Sequence, residues 1–200
     1  MKVPRTYFQS DDVVFLARDL IGKSIFTRIG EHLTGGVITE TEAYAGITDR
    51  ASHAYGERRT SRTVVMYQSG GVSYVYLCYG IHFLFNIVTG KKNNPHAILI
   101  RGIYPDTGLE QIRERRKNVA FQQLANGPGK VCQSLGISRK HNALPLDGDI
   151  IWLEDRGRIL REEDISIGKR IGVDYAAEDA LLPWRFFVDI KKAPRLFEAL

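Results

Sequence analysis

Cysteine is scarce in this 200-residue chain, which contains only two. Cys78 and Cys132 have no CxxC partner and lie in apolar stretches, which argues against a redox pair or a zinc knuckle. The five histidines show no ligand spacing such as HExxH. We therefore expect no metal.

Long apolar runs and linker-like stretches are also missing. The amino terminus, MKVPRTYFQSDD, has no apolar core long enough for a signal peptide, and no stretch approaches the length of a membrane span. We expect no membrane contact and a cytoplasmic location, near the nucleoid if the protein is bacterial. No Pro/Gly/Ser-rich linker or internal repeat interrupts the chain, so residues 1–200 are predicted to form a single domain.

The overall composition is that of a soluble globular protein, with 44% hydrophobic and 26% charged residues. Lys plus Arg exceed Asp plus Glu by 28 to 23, and the sequence pI is about 9.2. This balance favours an anionic partner, without identifying it.

The order of predicted elements indicates the fold class. A short helix follows Ser10, Asp11 and Asp12 and stops at Gly22. Strands are predicted in KSIFTRI, GGVITETEAY, GVSYVYLCYG, HFLFNIVTG, HAILIRGIYP, DIIWLED, ISIGKRIGV and WRFFVDI, and helices in GLEQIRERRKN and GPGKVCQSLG. We predict an α+β fold, with a largely antiparallel β-sheet, flanking helices and a protruding β-hairpin.

The hairpin carries aromatic side chains. Alternation places Tyr74, Tyr76 and Cys78 on one face, and Tyr79 falls at the turn. An exposed aromatic at a hairpin tip on a basic scaffold is one way to stack on bases or to separate them, although Tyr79 could instead fold back onto a loop. Asn86 is the polar exception in FLFNIV and is either a structural cross-link or a pocket group that reads a ligand.

The hairpin register decides which of these side chains meet. A three-residue loop of Gly80, Ile81 and His82 would set Tyr76 directly opposite Asn86. A two- or four-residue loop would put them on opposite faces.

Residues 40–62, ETEAYAGITDRASHAYGERRTSR, are densely polar and aromatic. Alternation puts Glu40, Glu42 and Tyr44 on one face. Glu42 is a candidate general base in an aromatic site, but edge strands carry glutamates for solubility as often. His53 is a packed, capping or functional histidine.

The basic end of this stretch has two interpretations. Arg58, Arg59 and Arg62 form either a solvated charge run or, with Thr60 and Ser61, a phosphate-contact segment. From the residues alone, we reach a basic α+β domain with an aromatic, acidic pocket, but no reaction.

Six motifs, in order, resemble the alkyladenine (3-methyladenine) DNA glycosylase family. They are TETEAY, ASHAYGERRTSR, SYVYLCYGIHFLFNIV, AILIRG, NGPGKVCQSLGI and RIGV, and the resemblance extends from about residue 10 to 190. It implies hydrolysis of the N-glycosidic bond of damaged purines in double-stranded DNA, such as 3-methyladenine, 7-methylguanine and hypoxanthine. No metal or organic cofactor is implied.

The resemblance also implies a role for each matching residue. Glu42 would activate the water, and Arg101 would hold that water with a backbone carbonyl from residues 170–173. Tyr44 and His53 would contact one side of the flipped base and Tyr76 the other, and Asn86 would exclude guanine. Tyr79 would be the DNA wedge. The contacts to the DNA backbone would be made by Arg58, Thr60 and Lys130.

Two departures from the family pattern occur after the wedge, where Ile81 and His82 replace a methionine and a tyrosine. No amine nucleophile is obvious, so we expect a monofunctional enzyme without lyase activity, acting as a monomer. Two other hypotheses remain. A non-catalytic nucleic-acid-binding module would not explain the presence of Glu42 in the pocket. A small-molecule hydrolase would not explain the basic surface or Tyr79.

Overall fold

The computed structural model describes residues 1–189. Its α-helices are α1 (Val13–Asp19), α2 (Leu109–Arg115) and α3 (Pro128–Leu135). Its strands are β1 (Ser24–Ile29), β2 (His32–Tyr44), β3 (Val72–Cys78), β4 (His82–Thr89), β5 (His96–Thr107), β6 (Ile151–Glu154), β7 (Ile165–Gly168) and β8 (Arg185–Val188). The α+β prediction is confirmed.

The sheet is antiparallel at every pairing and is organised around the long strand β2. Its strand order is β3-β4-β5-β2-β1-β6, and β7 and β8 form a branch that joins at β2. The first half of β2 pairs with β1, and the second half, at Glu40–Glu42, pairs with β8. The end of β2 is therefore enclosed by β5 on one side and β8 on the other.

The helices cover one face of the sheet. Phe85, Ile98 and Ile100 point into a core shared with α1 and α3, and all three are fully buried. On the other face, Val72, Tyr74 and Val88 pack against the loop after β2, including Ala54 and Met66. The candidate active site opens on this second face.

The β3–β4 hairpin has the expected loop length but not the expected pairing. Its three loop residues are Tyr79, Gly80 and Ile81, with Cys78 opposite His82. The Ile81 amide donates to the Cys78 carbonyl, and Tyr79 and Gly80 both adopt positive φ, which centres the turn on Gly80.

Tyr76 therefore does not lie directly opposite Asn86, as a loop of Gly80, Ile81 and His82 would have required. Tyr76 lies opposite Leu84, and Asn86 lies opposite Tyr74. A shift of two residues preserves the face, so the prediction that Tyr76 and Asn86 share one side of the sheet is confirmed.

Most predicted elements occur where the sequence indicated. In ISIGKRIGV only Ile165–Gly168 is strand, and Arg170 onward is loop. The last residue of WRFFVDI and the tail of the predicted domain, residues 190–200, lie outside the described residues. None of the helices within residues 1–189 has the length and apolarity that a bilayer crossing requires.

Candidate active site

A cavity of about 780 Å³ lies between the hairpin, the loop after β2, the start of α3 and the segment after β7. This volume is in the range of small-molecule pockets and accommodates a purine nucleoside. Its lining includes seven of the predicted site residues: Tyr44, His53, Tyr76, Tyr79, Asn86, Arg101 and Lys130.

Glu42 lies directly behind the cavity wall and is fully buried. Its position in β2 pairs it with Leu99 of β5 and Arg185 of β8, so strands close over it on both sides. The Tyr44 hydroxyl donates to Oε2 at 2.8 Å, and the Ile171 amide donates to Oε1 at 2.8 Å. Arg101 Nη1 also donates to Oε2, at 3.5 Å, so Oε1 is the oxygen that can accept a further hydrogen bond.

Burial raises the pKa of Glu42, and this effect outweighs the opposing influence of the Arg101 guanidinium and of the two hydrogen bonds. A carboxylate with a raised pKa is a stronger base once it is ionised. Glu42 is thus suited to accept a proton from a water at the wall formed by Tyr44, Arg101 and Ile171.

Arg101 bridges the two glutamates of β2. Its Nε lies 3.1 Å from Glu40 Oε1 and 3.3 Å from Glu42 Oε1. Thr41 pairs with Ile100 and Glu40 pairs with Gly102, so Arg101 is the extra residue of a β-bulge. Bulges redirect side chains beside functional sites, and here the bulge holds a guanidinium between two carboxylates.

A buried ion pair supports the Tyr44 side of the cavity. Arg170 and Asp49 form a two-pronged contact at 2.5 and 2.9 Å, with both side chains fully buried. The Arg170 guanidinium also lies 4.9 Å from the Tyr44 ring centre. A carbonyl from residues 170–173 is expected to hold the water; the contact of this segment with Glu42 itself is made by the Ile171 amide.

The aromatic wall differs from the expected grouping. His53 was expected beside Tyr44, yet its ring meets Tyr76 edge-on at a centroid separation of 4.7 Å. The reason is that the loop after β2 is anchored on β3: His53 Nδ1 lies 2.8 Å from the Tyr74 hydroxyl, and Ala54 is buried against the same strand. His53 and Tyr76 form one wall, and Tyr44 belongs to the wall near Glu42.

The imidazole of His53 lies between Tyr74 and Arg62. Arg62 Nη2 lies 3.0 Å from His53 Nε2 and 3.4 Å from Nδ1, so the guanidinium lies over the ring near both nitrogens. Burial, together with the charges of Arg62 and Arg58, lowers the pKa of His53 to about 4. His53 is therefore neutral at physiological pH.

Asn86 acts as a cross-link and also lines the cavity. Its side-chain amide donates to the Tyr74 carbonyl directly opposite at 3.1 Å, and the residue is 4% exposed. The structural cross-link is therefore present, and the reading of a ligand by Asn86 stays a prediction.

Of the predicted backbone contacts, Lys130 lines the cavity, whereas Arg58 and Thr60 lie outside its lining. Arg58 and Thr60 are exposed, and Thr60 caps a tight turn through Thr63. Lys130 Nζ is held at 2.8 Å by the side-chain oxygens of Gln123 and Asn126. Tyr79 is 90% exposed at the hairpin tip, so it does not fold back onto a neighbouring loop.

Sequence reasoning missed three contributors to the site: Arg62, the Asp49–Arg170 pair and the Ile171 amide. All lie in loops without periodicity, where alternation does not indicate which side chains meet. No local pattern could have identified them. Across residues 1–189, no group of three His, Cys, Asp or Glu side chains is arranged as metal ligands.

Comparison with known proteins places this site in a family. The sequence model of "Methylpurine-DNA glycosylase" matches residues 7–192. The chain belongs to the methylpurine-DNA glycosylase family.

Three curated relatives agree with this assignment, and each is named "Putative 3-methyladenine DNA glycosylase". The protein from Chlamydia felis is 45% identical over 196 residues, covering 97% of this chain and all of the relative. Those from Desulfitobacterium hafniense and Bacillus cereus (strain AH187) are 39% and 36% identical, covering 91% and 94% of this chain and 93% and 96% of the relatives. Family membership supports a DNA glycosylase that acts on alkylated bases in DNA repair.

Proposed function

We propose that this methylpurine-DNA glycosylase releases 3-methyladenine, 7-methylguanine and hypoxanthine from double-stranded DNA by hydrolysis, leaving an abasic site. The observation that carries the proposal is the fully buried Glu42 carboxylate behind an aromatic cavity. A module that only bound nucleic acid would have no use for a costly buried carboxylate at this position.

In the proposed mechanism, the damaged nucleotide leaves the duplex and its base enters the cavity. Tyr44 contacts one face of the base, and His53 with Tyr76 contacts the other, which revises the grouping expected from the sequence. Asn86, which lines the cavity, excludes guanine. Electron-rich rings and a neutral His53 favour alkylated purines that are already cationic by about 1–2 kcal/mol.

Glu42 then accepts a proton from a water as the water attacks the anomeric carbon. Arg101 opposes the effect of burial on the pKa of Glu42 and holds the carboxylate toward the wall, which the 3.3 Å contact with Oε1 supports. The C1′–N9 bond breaks with its electron pair on the purine. Since no amine attacks the sugar, no strand-nicking lyase step follows.

Tyr79 is proposed to fill the space left in the duplex, offsetting the few kcal/mol that flipping a nucleotide costs. Arg58, Thr60 and Lys130 are proposed to contact phosphates around the cavity. We propose that the protein acts as a monomer and without a cofactor.

The test is a duplex carrying one lesion, incubated with the protein and then treated with alkali, which cleaves at abasic sites. Cleavage at the lesion is expected for each of the three bases. Absence of cleavage with all of them would reject the proposal, and cleavage without alkali or borohydride trapping of a protein–DNA adduct would reject the monofunctional mechanism.

A further inference from the structure

Three arginines follow the pocket histidine, and the structure separates them. Arg59 stacks on Tyr67 at 3.7 Å from the ring centre, and Arg58 is exposed. Of the three, only Arg62 is among the residues that line the cavity. Arg62 is solvent-exposed, as Arg58 is, but it also contacts the wall of the cavity.

The guanidinium of Arg62 is held by three aromatic side chains of the cavity. Its Cζ lies 4.4 Å from the ring centre of Tyr76. Its Nη2 lies 3.0 Å from His53 Nε2, and its Nε lies 3.3 Å from the Tyr74 hydroxyl. These contacts fix a positive charge on the wall that is proposed to enclose the base.

This charge has two consequences within the cavity. The cation occupies the π-system of Tyr76, which a cationic base would otherwise use. It also contributes, after burial, to the low pKa of His53. A base bound against His53 and Tyr76 is therefore placed beside a fixed positive charge.

We propose that Arg62 is a specificity-determining residue that favours neutral damaged purines, such as hypoxanthine, over cationic ones, such as 7-methylguanine. This inference rests on the proposed function of the cavity. The electron-rich rings favour cationic purines, whereas Arg62 favours neutral ones. The rings and Arg62 together set the relative rates at which the two classes of lesion are released.

The charge balance of the reaction explains why Arg62 favours neutral purines over cationic ones. In both cases water adds to C1′, its proton passes to Glu42, and the N9 bond breaks with both electrons on the purine. Hypoxanthine thereby goes from neutral toward anionic, whereas 7-methylguanine goes from cationic toward neutral. The two bases differ by one unit charge at every stage, and Arg62 interacts more favourably with the less positive one.

The experiment compares kcat/KM for hypoxanthine with kcat/KM for 7-methylguanine, each in a duplex of otherwise identical sequence. Arg62→Gln removes the charge, and Arg62→Lys retains it. Arg59→Gln is the matched control, since it removes the same charge from a stacked arginine outside the cavity. Differences in flipping between the two lesions cancel when the ratio is compared among variants.

We expect Arg62→Gln to lower the hypoxanthine to 7-methylguanine ratio by at least about fivefold, the effect of one unit charge at roughly 6 Å in a partly solvated pocket. Arg62→Lys and Arg59→Gln should keep the ratio within about twofold of wild type. If the wild type releases hypoxanthine alone, Arg62→Gln should gain release of 7-methylguanine.

Three results overturn the inference while leaving the proposed function intact. The first is an Arg62→Gln variant whose hypoxanthine to 7-methylguanine ratio is unchanged, or that does not gain release of 7-methylguanine where the wild type lacks it. The others are an Arg59→Gln variant whose ratio falls as much as that of Arg62→Gln, and a wild type that releases 7-methylguanine but not hypoxanthine. A wild type that releases no lesion instead overturns the proposed function itself.

Discussion

Burying a carboxylate costs free energy unless its partners compensate, and Glu42 is under-compensated. It has three donors, from Tyr44, Ile171 and Arg101, yet burial still raises its pKa. Strand pairing on both sides prevents water from reaching it freely. A buried carboxylate with a raised pKa beside a cavity is the pattern expected of a group retained for chemistry rather than stability.

At the residue scale, we predict that Glu42→Gln is more stable than wild type near pH 8. A raised folded-state pKa means that ionised Glu42 destabilises the fold above that pKa, and protonation relieves this as pH falls toward the ordinary glutamate value of 4.5. The stability difference between Glu42→Gln and wild type should therefore shrink as the pH falls from 8 toward 4.5.

Thermal unfolding of both proteins from pH 8 to pH 5 measures this difference. A glutamine variant that is less stable than wild type at pH 8 would show that the partners of Glu42 fully compensate its charge.

At the element scale, two loops are joined by the buried pair Asp49–Arg170. Asp49 also accepts hydrogen bonds from the Ala45 and Ala51 amides, so it ties the loop after β2 to the segment after β7. Since Ile171 and Tyr44 both contact Glu42, this pair supports the geometry of the candidate base.

We predict that Asp49→Ala lowers the free energy of unfolding by about 3–5 kcal/mol, because it leaves the Arg170 charge buried and uncompensated. Glu178→Ala is the control, since it breaks the solvent-exposed pair with Arg50 and should leave stability unchanged within error. Denaturant unfolding compares the two. Equal, small effects would indicate that Arg170 finds other partners.

The hairpin tip supplies a second element-scale prediction. Tyr79 has a φ of 49°, a left-handed conformation that disfavours large side chains. Tyr79→Asn should therefore stabilise the fold by about 1 kcal/mol while weakening binding to a lesion duplex more than to an undamaged one. Tyr79→Phe should keep wild-type preference.

Denaturant unfolding and duplex titration report these two effects separately. Unchanged lesion preference in Tyr79→Asn would contradict the wedge role of Tyr79. Unchanged stability would show that the left-handed conformation of Tyr79 does not destabilise the fold.

The elements also show how far the sequence leads. Alternation and turn residues located the strands, and alternation correctly grouped Tyr74 and Tyr76 on one face. Register depends on turn conformation, which alternation does not encode, so the sequence left open which residue lies opposite Tyr76, and the structure places Leu84 there. The bulge at Arg101 and the position of Arg62 depend on contacts between distant segments, and the sequence alone did not indicate them.

At the scale of the whole molecule, the fold separates stability from chemistry. One face of the sheet forms the main core with α1 and α3, while the other face, with its loops, forms the cavity. Cavity residues can therefore be changed without removing the main core. This separation makes a direct test of the catalytic proposal practicable.

That test is single-turnover base release from a lesion duplex by wild type, by Glu42→Gln and by the exposed-carboxylate control Glu178→Gln, with duplex affinity measured in parallel. We predict that Glu42→Gln slows release at least about 100-fold, the usual contribution of a general base, while affinity stays within about threefold. The control should match wild type in both. Release by Glu42→Gln at the wild-type rate would contradict the assignment of Glu42 as the base.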